Sequence, residues 1–93
     1  MKNENINIIR KKLDKTDINL LNIIKKRSLL VDKILKLKKN KNEIVDQKRI
    51  NFILKRIKKY SIKAKVDPNI TSGIWKAMIK GFINYEYKRF KKK

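Results

Sequence analysis

The chain has no cysteine and no histidine. Their absence excludes disulfides, thiolate and imidazole metal sites, Cys or His nucleophiles and a histidine general base. Any catalysis must therefore be electrostatic or rely on carboxylates, and no cofactor or metal is expected. One proline and two glycines in 93 residues leave few points at which a helix must stop. A chain of this length reads as one domain, residues 1–93, with a modest core if it stands alone. It has no charged leader followed by a continuous apolar run and no stretch near roughly eighteen apolar residues, so a soluble, cytoplasmic protein is expected.

Negative charge is also scarce. Against 28 Lys and Arg stand 8 Asp and Glu, for a net charge of +20. Three readings compete. A strongly basic small domain attracts polyphosphate, which points to nucleic acid. A positive field also gathers a small polyanionic substrate. The third reading is codon usage: Lys, Asn and Ile dominate together, as an AT-rich genome would produce, and the lysines are spread along every segment rather than gathered in one patch.

What is present is helix. Residues 6–39 contain neither Pro nor Gly, and Ile6, Ile9, Leu13, Leu20, Ile24, Val31 and Ile34 recur at helical spacing. Two cations sit on or beside that stripe. Arg27 lies between Ile24 and Val31, and Lys38 lies four residues beyond Ile34. Buried cations require anionic partners. Arg27 and Lys38, eleven residues apart, share a face at about 16 Å, a gap that two long side chains can narrow around a small ligand. Arg10 lies seventeen residues before Arg27, about 25 Å along the axis and roughly 100° away around it. One helix cannot bring both arginines to one small molecule, whereas two antiparallel copies can.

The remainder divides at polar punctuation. Asn3 or Asn5 is placed to cap the first helix, and residues 40–45 break the periodicity as a loop. Asp46 is an N-cap for a second helix reaching about residue 61, on which Ile50, Ile53 and Ile57 form the apolar stripe, flanked by Phe52 and Leu54. Arg49, one turn before Ile53, lies against that stripe or snorkels to water. Asp67 followed by Pro68 announces a third helix reaching about residue 90, with Trp75, Met78, Ile79 and Phe82 on its inner face. The closing KRFKKK reads as a solvated tail.

Glu86 falls four residues after Phe82, on the same inner face. Buried without a cation, a carboxyl tends to stay neutral and becomes a hydrogen-bond donor. The alternative is an end-of-helix ion pair with a neighbouring lysine. The fold class is all-α: three helices, the first too long to be covered by the other two, which implies an intertwined homodimer.

The ordered set Arg10, LDKTD, LLNIIKKR, LVDKILKLKK, IVDQKR, DP, IW and Glu86 resembles the all-helical class of chorismate mutases over nearly the whole chain. The resemblance implies a cofactor-free homodimer with two shared active sites, acting in the shikimate pathway toward Phe and Tyr. It also implies that Arg10 arrives from the partner chain to hold a carboxylate, while Arg27 and Arg49 belong to the main chain's site. Lys38 and Glu86 would meet the ether oxygen that breaks, and Asp46 would lie beside the ring hydroxyl.

Conversion of chorismate to prephenate is a pericyclic rearrangement of a dicarboxylate and needs no nucleophile. It needs a compact conformer and donors aimed at the ether oxygen as charge separates. Arginines can fix the carboxylates bidentately. Lys38 and a protonated Glu86 can stabilise the oxygen, and Glu86→Gln would keep a neutral donor of the same shape at every pH.

Two positions depart from the family pattern. Ile50 stands where Glu or Gln usually reads the ring hydroxyl, and Phe82 where a small hydroxyl residue is common. Both are similar to the isochorismate-pyruvate lyases that share the fold, which makes a lyase the enzymatic alternative. A basic helical dimer that binds nucleic acid is the non-enzymatic one; it accounts for the charge but not for the placement of Arg10, Arg27, Lys38 and Arg49.

Overall fold

A computed structural model describes residues 5–91 of the chain. It is all-α, with three helices, α1 Ile6–Leu37, α2 Gln47–Lys63 and α3 Pro68–Arg89, and no strand among the described residues. The chain divides into two compact units, one ending at Leu30 and the other beginning at Val31.

The first unit consists of most of α1. Asn5 caps it, its Oδ1 accepting the Ile8 N–H at 3.1 Å. Asn3, the other expected cap, lies outside the described residues. Along the apolar stripe Ile6 is 60% exposed, Leu13 56% and Leu20 51%, while Ile24 is half-buried.

The second unit opens on the last turns of α1, which stop at Leu37, two residues short of the expected end. The expected loop holds a 3₁₀ turn, Lys41–Glu43. Its cause is Glu43, whose Oε2 accepts the backbone N–H groups of Asn40 at 2.8 Å and Lys39 at 2.9 Å, the reach-back half of a capping box. Those donors, Asn40 first and Lys39 second, hold the Glu43 carboxyl below its ordinary value of 4.5. Ile44 follows and is 3% exposed.

Asp46 caps α2 as expected, its Oδ1 accepting the Arg49 N–H at 3.0 Å. The helix closes in a Schellman turn, with Val66 N–H to Ser61 O at 2.9 Å and Lys65 N–H to Ile62 O at 3.1 Å. Lys65 takes the left-handed position usually given to glycine, at φ 61°. Asp67 then caps α3 through the Asn69 N–H at 2.9 Å, with Pro68 in the first turn.

α2 and α3 pack on each other as a hairpin. Each contributes a half-buried apolar row, Ile53, Leu54 and Ile57 from α2 and Trp75, Met78, Ile79 and Phe82 from α3. Near the turn the buried Ser61 hydroxyl lies 2.7 Å from that of Thr71 and donates to the Ile57 carbonyl at 2.6 Å. Among the described residues Leu35 and Ile44 are the buried hydrophobics, at 8% and 3% exposed.

The expected tail begins later than residue 88. Lys88 and Arg89 are helical, and Phe90 is a half-buried C-cap whose N–H donates to the Glu86 carbonyl at 2.8 Å. Arg89 lies 4.8 Å over the Tyr85 ring. Lys92 and Lys93 lie outside the described residues.

Candidate active site

Lys38 and Glu86, from opposite ends of the second unit's sequence, meet here. Lys38 Nζ lies 2.9 Å from Glu86 Oε1, and their side chains are 17% and 10% exposed. The end of α1 delivers Lys38 to this point and the last turn of α3 delivers Glu86. Lys38 Nζ also points to the Ile44 carbonyl at 3.5 Å, within the segment that the Glu43 clasp shapes. An ammonium has three N–H donors, so these two acceptors leave one for a substrate oxygen.

Glu86 is therefore buried with a cation rather than without one. The ion pair expected as its alternative is the one that forms, but its partner is forty-eight residues away rather than a neighbouring surface lysine. A buried pair is costly to break from one side, because the remaining charge is left uncompensated.

The other expected residues fall in three places. Arg10 and Arg27 belong to the first unit, where Arg10 is exposed and Arg27 half-buried. On α2, Asp46 is exposed and occupied as the helix cap, Ile50 is half-buried, and the exposed Arg49 sets its guanidinium 5.3 Å over the Phe52 ring. Arg49 thus takes the solvated option, stacked on an aromatic ring. On α3, Phe82 is half-buried and meets Tyr85 edge-to-face at 6.2 Å and 88°.

Two residues that the sequence reading passed over stand beside this pair. The Tyr85 hydroxyl donates to Asp32 Oδ1 at 2.6 Å, joining α1 to α3 across fifty-three residues of sequence. Nothing local in the sequence marks that bond. The Glu43 clasp is different, since Asn40 and Glu43 have the spacing of a capping box and could have been found.

An ammonium and a carboxyl shielded from water suit binding and charge stabilisation more than covalent chemistry. Residues 9–87 match the family model for chorismate mutase type II. The chain belongs to that family. The matched span contains every residue singled out from the sequence as a site candidate, from Arg10 to Glu86. Membership in the chorismate mutase type II family agrees with the all-α fold and supports chorismate mutase activity, an isomerisation. Comparisons with curated proteins and with solved structures returned no match. No helix among the described residues is long and apolar enough to cross a membrane, and no group of three or more carboxylates there could hold a metal ion.

Proposed function

We propose that the chain converts chorismate to prephenate at a site centred on Lys38 and Glu86. The observation that supports this most strongly is their contact: two residues within the matched span, forty-eight apart in sequence, form a shielded pair with a spare ammonium donor. In the rearrangement one C–O bond breaks as one C–C bond forms, with no proton transferred to or from the protein. Negative charge accumulates on the ether oxygen, and Lys38 donates to it. Glu86 orients Lys38 by accepting from it.

Arg27 and Arg49 hold the carboxylates from the main chain, Arg10 reaches in from a second copy, and Asp46 faces the ring hydroxyl. The exposed apolar stripe of α1 supports the dimer that this arrangement needs, because a second α1 supplies both the missing cover and the missing arginine.

Ile50 and Phe82, both half-buried, favour a second reading. An apolar side chain at position 50 cannot read the chorismate hydroxyl, a loss that matters less for isochorismate, whose hydroxyl sits elsewhere on the ring. Turnover of chorismate and of isochorismate by one purified preparation separates the readings: prephenate from the first identifies the mutase, and pyruvate released from the second identifies the lyase.

A further inference from the structure

We infer that Tyr85 and Asp32 are positioning residues for the Lys38–Glu86 pair, an inference that rests on the mutase reading of that site. Lys38 is a flexible stem carrying a nearly spherical charge, so its ion pair sets a distance but no direction. The Tyr85–Asp32 bond is short, at 2.6 Å, and directional. It couples the residue just before Glu86 on α3 to a residue six before Lys38 on α1, about 9 Å of helical rise away. Two attachments separated along residues 32–38 fix the orientation of that segment on α3, whereas one leaves it free to swivel.

Tyr85 is suited to be the rigid member. Its ring meets the edge of Phe82 at 6.2 Å, and its face is covered by Arg89 at 4.8 Å, so only the hydroxyl extends to α1. Phe82 is itself a candidate substrate-lining residue, so Tyr85 packs against one residue of the candidate site and precedes Glu86 in sequence. Losing the bond loosens the direction in which Lys38 and Glu86 present their donors and removes no group that holds a carboxylate. The effect therefore falls on kcat rather than KM.

The test is a double-mutant cycle on the full chain with chorismate. Tyr85→Phe removes one oxygen and keeps the ring contacts; it should lower kcat about tenfold and change KM by less than about twofold. In a Glu86→Ala background the same change should cost less than about twofold, because the pair it positions is already broken and Lys38 is no longer held. Asp32→Asn keeps a carbonyl acceptor and should retain at least about half of kcat, while Asp32→Leu should match Tyr85→Phe. Equal losses in both backgrounds, or a wild-type kcat in Tyr85→Phe, overturn the inference. If Tyr85→Phe does not fold, the Asp32 pair reads the same bond from its other end, and equal kcat in Asp32→Asn and Asp32→Leu overturns it. A wild-type chain inactive on chorismate removes the mutase reading alone. The coupling is then read from denaturant midpoints of Tyr85→Phe with and without Lys38→Met: non-additive shifts support the positioning role, and additive shifts overturn it.

Discussion

Lys38 and Glu86 lie 2.9 Å apart although forty-eight residues separate them in sequence. Three segments converge to make that contact: the end of α1, the Glu43-clasped turn that carries the Ile44 carbonyl, and the last turn of α3.

Lys38→Ala should lower kcat/KM by at least about a hundredfold, the scale of removing a preorganised donor from a site of developing charge. Glu86→Ala should fall similarly, while Glu86→Gln, which keeps an acceptor for Lys38 and gains an N–H donor, should stay within about tenfold of wild type. Exposed Lys58 and Lys63 should be nearly silent as alanines. Comparable losses for Lys38, Lys58 and Lys63 in steady-state kinetics would assign the activity to the general positive field.

Arg10 and Arg27, seventeen residues apart on α1, supply the next prediction. Subunits carrying Arg10→Ala and Arg27→Ala should each be inactive alone. Refolded together they should regain activity, since half-mutant dimers restore one intact site. A mixture no better than its parents would sink the shared site.

The helix caps show how much of this was legible in advance. Asp46 and Asp67–Pro68 act through bonds within three residues, and both took their expected places. The helix boundaries followed from periodicity and polar punctuation to within about two residues. The Tyr85–Asp32 bond and the burial of Phe90 did not, because both depend on how helices meet rather than on local spacing. Arg49 was a choice between an inward and a solvated cation, and the neighbouring Phe52 ring gave the solvated one a surface to lie on.

Glu43 gives a pH-dependent prediction. Its carboxyl titrates below 4.5 in the folded chain because the Asn40 and Lys39 N–H groups favour the charged form. A lowered folded value means that the clasp contributes stability above the unfolded value and loses it as pH falls through the folded one. Denaturant midpoints should therefore drop more between about pH 5 and about pH 3 in the wild type than in Glu43→Gln. Parallel profiles would show that the clasp does not favour the ionised form.

Lys65 occupies a left-handed position at φ 61° that closes α2. Lys65→Gly removes the Cβ conflict there, partly offset by glycine's greater freedom when unfolded, and should stabilise the chain by a few tenths to about 1 kcal/mol. Lys65→Val should destabilise it. Urea unfolding of the two variants provides the check, and the reverse order would contradict the Schellman assignment.

The most direct measurement is turnover of chorismate by the purified chain at low and at raised salt. The account predicts saturable formation of prephenate that persists when salt screens the +20 net charge, because the reaction depends on a shielded Lys38–Glu86 site rather than on the exposed lysines. Absence of prephenate above the uncatalysed rate, or activity that vanishes with salt in step with release from heparin, would contradict it.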